Sequence, residues 1–192
     1  LMVLYWGRRF DEGIGAVKKW LIGALALGLP VVILLHDTNI PGKLLGTPVP
    51  AKIDPLIRVR GWSEMARVVE EQRRKLAEEG RDTFIIGPHY GITSLLAFYI
   101  PEANRGVPAN PMVYYQKADH PENQFYFWES YAERRGQNAL YVTRLRKDAE
   151  PAPVPERIAG QFESVASLGA FDVKYRGRTI HRVQIVACRS LR

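Results

Sequence analysis

The sequence predicts an α/β fold: one N-terminal transmembrane helix, then a small domain built on a mostly parallel sheet that ends in an antiparallel hairpin. Three observations carry that expectation. Residues 20–35 form an uninterrupted apolar run, strand patterns alternate with helix patterns from residue 58 onward, and the last third holds two alternating stretches joined by a short basic turn.

The apolar run, WLIGALALGLPVVILL, follows Lys18 and Lys19 directly. About 20 apolar residues cross a typical hydrocarbon core, and the run reaches that length when extended back to Ile14 across lysines whose stems snorkel. A buried core helix is the main competing reading, but an all-round apolar helix needs protein on every side, and the rest of the chain is small for that. A signal sequence fits less well, since its apolar region is usually about 7 to 15 residues and after Leu35 no small-x-small site occurs before TPVPA at 47–51. Arg8, Arg9, Lys18 and Lys19 precede the run and Lys43 is the first Lys or Arg after it, so the positive-inside rule places the N-terminal end in the cytoplasm and residues beyond about 36 outside it. The stub LMVLYWG, with Tyr5 and Trp6 ahead of two arginines, reads as the cytoplasmic end of a preceding transmembrane helix. Residues 1–36 are therefore expected to be a membrane segment whose last transmembrane helix covers about 18–36, and the chain a fragment of a longer protein. Asp11 and Glu12 are expected to be a solvated loop pair.

Residues 37–57 hold four prolines and two glycines without periodicity, the composition of a linker, and 58–192 form the domain. Ser63 is expected to cap the first helix, with Met65, Val69, Gln72 and Leu76 on its buried face, Arg67, Glu71, Arg74, Lys75 and Glu78 on its solvated face, and Gly80 as its stop. A strand at 83–86, the loop GPHYG at 87–91 and a helix at 93–100 make a β-loop-α unit. A second strand at 112–116 leads through KADHPEN to an aromatic helix at 124–135, whose Phe125, Trp128 and Tyr131 share one face, and then to a third strand at 139–143. This alternation predicts a Rossmann-like α/β layer structure with right-handed crossovers. Strands at 161–173 and 179–189, linked through KYRGR, predict the hairpin at the sheet edge. His181, Val183, Ile185 and Ala187 point to one face, and Arg182, Gln184, Val186 and Cys188 to the other.

The net charge of +7 is concentrated in the first 19 residues and the last 22. The basic residues of the tail alternate along a strand and carry no groove-reading motif, so no nucleic-acid partner is expected. Cys188 is the only cysteine, which excludes an intrachain disulfide. The four histidines lack metal-ligand spacing and no GxSxG occurs, so no metal site, cofactor or catalytic nucleophile is expected. GPHYG matches neither the phosphate-loop motif nor the dinucleotide fingerprint. Ligands of open parallel sheets bind beyond the carboxyl ends of the strands. Those ends offer His89 and Tyr90, then Gln116 and Lys117, then Thr143 and Arg144, a polar and partly cationic crevice suited to a phosphate or sugar.

RVRGWSEMARVV at 58–69, LLAFYI at 95–100, NQFYFW at 123–128 and ALYVTR at 139–144, behind a hydrophobic span and a proline-rich linker, follow a recognisable order. The chain from about Lys18 to Arg192 resembles the C-terminal end of bacterial GT-C type glycosyltransferases, in the dolichyl-phosphate-mannose-protein mannosyltransferase family that includes relatives of the lipid A aminoarabinose transferase. Gly61, Trp62, the Ala97 to Tyr99 segment and the Asn123 to Trp128 segment carry the likeness. It implies an integral enzyme of the bacterial cytoplasmic membrane that moves a sugar from a polyprenyl-phosphate carrier to an extracytoplasmic glycan, lipid or protein acceptor. The acidic catalytic residues of such enzymes lie in their first extracytoplasmic loop, which has no counterpart in this sequence, so no catalytic residue is expected. The substrate-binding candidates are His89, Tyr90, Gln116, Lys117, Gln124, Trp128 and Arg144. The alternative is a single-span α/β module that binds a phosphorylated or sugar ligand.

Overall fold

The computed structural model describes residues 2–13, 15–47, 50, 54, 56–107, 109–146 and 148–192, the side chain of Ala16 excepted. Much of TPVPA and of the second half of the expected linker therefore lies outside the described residues. The chain divides into two compact units, Leu1–Arg58 and Val59–Arg192.

In the first unit, α1 (Met2–Asp11) presents every described side chain to solvent, with Arg8 and Glu12 paired one turn apart. α2 (Gly15–His36) contains the apolar run. From Lys18 to His36 its residues are exposed, apart from a half-buried Gly28. The 20 residues Val17–His36 are apolar enough and long enough to cross a membrane, at about 1.5 Å of rise per residue. Pro30 sits inside this helix, a position that transmembrane helices accommodate by re-satisfying the freed carbonyl locally. The expected linker is partly structured, because Pro41 opens the short helix α3 (Ile40–Leu44). Asp54 gathers the chain behind it, its Oδ1 accepting from Thr38 Oγ1 at 2.7 Å and from Leu56 N at 3.0 Å.

The second unit is a mixed α/β layer structure. α4 (Trp62–Ala77) starts from Gly61 at φ +78°, with no side-chain cap, so the cap expected at Ser63 is not made. Glycine is needed because the chain turns through the left-handed region while touching Ile180 and Val173. Met65, Ala66, Val68, Val69 and Leu76 are buried, and the expected solvated face is exposed. Arg73 is buried, while Gln72 is only half-buried. Burial of that charge is possible because Arg73 donates to Glu70 at 2.7 Å, to Glu102 at 2.7 Å and to the Thr83 carbonyl at 3.3 Å.

There follow β1 (Thr83–Gly87), α5 (Tyr90–Tyr99), α6 (Pro101–Gly106), β2 (Val113–Tyr115), β3 (Asn138–Leu145), α7 (Glu156–Ala159), β4 (Phe162–Tyr175) and β5 (Arg178–Leu191). The five strands form one sheet in the order β2-β1-β3-β5-β4. β1 pairs parallel with β2 and β3, whereas β5 pairs antiparallel with β3 and β4. The hairpin turns through Arg176 and Gly177, at φ 51° and 75°, the two positive values of a turn whose twist matches the strands. Side-chain alternation divides the core into two layers. Ile85, Leu140, Val142, Val183 and Ile185 pack under α4 and α5, and Phe84, Ile86, Tyr141, Val186 and Cys188 pack on the opposite face with Ile158 and Phe162.

The aromatic helix expected over 124–135 does not form. Two short 3₁₀ turns, Gln124–Phe127 and Tyr131–Glu133, replace it, separated by extended residues. Asn123 Oδ1 accepts the Phe125 N–H at 2.9 Å and Ser130 Oγ accepts the Ala132 N–H at 3.3 Å, so each turn begins at its own cap. The aromatic residues also diverge. Phe125 packs against Tyr115, while Tyr131 packs against Tyr114 and Phe84. Tyr114 and Tyr115 are consecutive on β2 and point to opposite faces, a division that one straight helix could not satisfy.

Candidate functional site

The carboxyl ends of β1, β2 and β3 do not gather the sequence candidates into one crevice. His89 precedes α5, and its Nδ1 accepts the Gly91 N–H at 3.0 Å. Its ring stacks on Tyr90 with centroids 4.3 Å apart. Arg144 lies on the α4 face, its guanidinium 5.3 Å from the Trp62 ring centre and 3.3 Å from His181 Nδ1. Thr143, its neighbour on β3, points to the opposite face. Gln124 is exposed, and Trp128 is 47 % exposed with its ring 4.5 Å from Phe125.

Gln116 and Lys117 have a different fate. The Gln116 N–H donates to the Gly87 carbonyl at 2.9 Å, continuing the parallel ladder one residue past β2, and both side chains are half-buried in a cleft of about 390 Å³. The cleft belongs to the face of Tyr131 and Leu191, opposite the Arg144 cluster. Its cations come from four separate segments: Lys117 after β2, Arg135 after the Tyr131–Glu133 turn, Arg157 on α7 and Arg192 after β5. Among the described residues no Asp or Glu lines it. Arg157 pairs with Asp119 at 3.2 Å, whose side chain is 91 % exposed, where water screens the pair.

The polar groups of the cleft are oriented by local bonds. The Tyr131 hydroxyl donates to Gln161 Oε1 at 2.7 Å, leaving the Gln161 amide N–H groups as donors. Burial pushes the Tyr131 phenol above its ordinary value, so it remains a donor. Ser130 Oγ already accepts from Ala132, which leaves its own O–H to donate. Lys117 Nζ stands 5.9 Å from the Tyr126 ring centre. Chemically this is a donor-rich, cationic concavity with an apolar wall, able to hold an anion and adjoining hydroxyls. Cys188 is buried on the same face of the sheet and its thiol is pushed up to about 12 by burial. Among the described residues no three His, Cys, Asp or Glu side chains converge as a metal site would require.

Sequence reasoning missed Ser130, Tyr131, Arg135, Arg157, Gln161 and Arg192 as a group. No local signal marks them, because they are spread over more than 60 residues and only the fold brings them together. Compared with protein-family models, curated proteins and solved structures, the chain matches none.

Proposed function

We propose that the chain is the C-terminal portion of an integral membrane glycosyltransferase of the GT-C type, which transfers a sugar from a polyprenyl-phosphate carrier to an extracytoplasmic acceptor. The observation that carries this reading is α2, whose apolar side chains from Trp20 to Leu35 face outward in a chain that also folds a separate α/β unit. Such a helix is costly in water and stable in lipid. Lys18 and Lys19 at its start favour a cytoplasmic N-terminal end and an extracytoplasmic α/β unit. The parallel strands β2-β1-β3 support a Rossmann-like arrangement, in which ligands approach beyond strand ends.

In that reading the labour is divided by solvent. The lipid carrier is confined to the bilayer and the acceptor arrives from water. A carboxylate outside this chain takes the acceptor proton as the lipid phosphate leaves, while the α/β unit orients the partners. A single-span binding module for a phosphorylated or sugar ligand is the second reading, favoured by the cationic cleft, and it shares the same topology.

Two measurements test the proposal. Leu168 is on the exposed part of β4, and the native Cys188 is buried, so Leu168→Cys in intact cells should react with a membrane-impermeant maleimide, as an extracytoplasmic unit requires. The full chain in nanodiscs should show no transfer from a polyprenyl-phosphate sugar. Protection of Leu168→Cys until the cells are lysed, or turnover by this chain alone, would overturn the respective halves of the reading.

A further inference from the structure

We infer that the cleft lined by Lys117, Arg135, Arg157 and Arg192 is a binding site for a phosphate ester of sugar size, a ligand that joins a phosphoryl group to a hydroxyl-rich group. The inference rests on the binding reading of this cleft, which it makes specific, and does not depend on the glycosyltransferase reading.

The charge pattern separates this concavity from the rest of the surface. A second depression, along the outer side of α4, also contains arginines, but there each is answered: Arg67 pairs with Glu64 at 2.8 Å, and Arg74 with Glu70 at 2.7 Å. In the cleft four cations from four segments face a common space, Arg157 answered only by the exposed Asp119 at 3.2 Å, and no Asp or Glu is among the described lining residues. Like charges gathered in a concavity raise one another's energy unless an anion joins them, and low-dielectric walls concentrate that field. Arginine forks match the oxygens of a phosphoryl group, and three of the four cations are arginines.

The remaining lining residues select for more than charge. Ser130, Gln116 and Gln161 supply neutral donors or acceptors at the side of Tyr131, the complement of sugar hydroxyls. Tyr131 and Leu191 form an apolar wall of the kind that a sugar ring lies against. A volume of about 390 Å³ is at the small end of ligand pockets, which run from about 300 to 1,000 Å³, and it accommodates a hexose phosphate. The phosphoryl group has two sources with the same chemistry, a soluble sugar phosphate or the headgroup of a phosphorylated lipid.

The test uses the full chain in phosphatidylcholine nanodiscs, titrated calorimetrically with glucose 1-phosphate, inorganic phosphate and glucose. A parallel arm offers the same protein nanodiscs doped with a long-chain isoprenyl phosphate and reads protection of Arg135→Cys from a thiol reagent. Glucose 1-phosphate should bind more tightly than phosphate, glucose should not bind measurably, and added salt should weaken the affinity. Lys117→Gln with Arg135→Gln should weaken binding about tenfold or more, while Arg74→Gln on the ion-paired surface leaves it unchanged. Thermal melting confirms that each variant is folded. Binding of glucose 1-phosphate supports a soluble source, and protection by the isoprenyl phosphate alone supports a lipid source. Failure of both probes, or equal affinity in the double variant, would overturn the site.

Discussion

Gly61 shows how much one residue decides. Its φ of +78° lies in the left-handed region, and a Cβ there would stand 2.6 Å from Ile180 Cδ1 and 3.0 Å from Val173 Cγ1. Backbone strain and overpacking therefore act together, and Gly61→Ala should cost about 2 to 4 kcal/mol. Denaturant melts of the full chain in detergent measure it, and an unchanged midpoint would show that α4 starts some other way. The sequence marks Gly61 and Trp62 as the opening of the helix, yet it points to Ser63 as the cap. Propensity rates serine above glycine at that place, but it carries no knowledge of Ile180, more than 100 residues away. Cys188 is the opposite case: a lone cysteine among Val186, Ala187 and the strand pattern is readable as a packed apolar residue, and it is fully buried.

At the scale of elements, α4 is held by charge as well as by its apolar stripe. The Glu70 side chain is only 13 % exposed and sits between Arg73 and Arg74. Burial opposes its ionisation, but the two guanidinium groups outweigh burial and hold the carboxyl below its ordinary 4.5. The unfolded chain therefore takes up a proton at higher pH than the folded one. Glu70 stabilises the fold fully above that unfolded value, and the contribution fades as pH falls through the lower folded-state value. Glu70→Gln should cost about 1 to 3 kcal/mol at pH 7 and should flatten the loss of stability between pH 7 and 3.5. Identical pH slopes for wild type and variant would remove Glu70 from the account. The helix pattern of α4 is legible because its apolar residues recur at helical spacing. The segment 124–135 is misread for a related reason: Phe125, Trp128 and Tyr131 have helical spacing, but Phe125 and Tyr131 serve opposite faces of the sheet and the Ser130 cap starts a new turn between Trp128 and Tyr131.

For the whole molecule, the consequential element is α2. Leu27 lies near its middle and is 73 % exposed. If α2 spans a bilayer, the wild-type chain should stay with membranes through alkaline carbonate washing. Leu27→Arg, an insertion penalty of about 2.5 to 3.5 kcal/mol at a helix centre, should shift a measurable fraction to the supernatant. Release of the wild type by carbonate would refute the span. Composition alone made this helix legible, since 16 consecutive apolar residues need no tertiary partner to be recognised. The same holds for α4, for the β1–α5 unit and for the terminal hairpin, whose patterns are local in sequence and whose turn carries its own glycine. Strand order was beyond reach, because several arrangements satisfy one alternation and the choice of β3 and β5 as neighbours rests on contacts between distant segments. The cleft was beyond reach for the same reason. Of the candidate ligands named from strand ends, the fold brings only Gln116 and Lys117 to it, sends Arg144 to the other face, and completes the site with arginines that have no shared motif. Periodicity and composition are properties of a segment, whereas a site of converging charges exists only where the sheet's pairing places loops side by side.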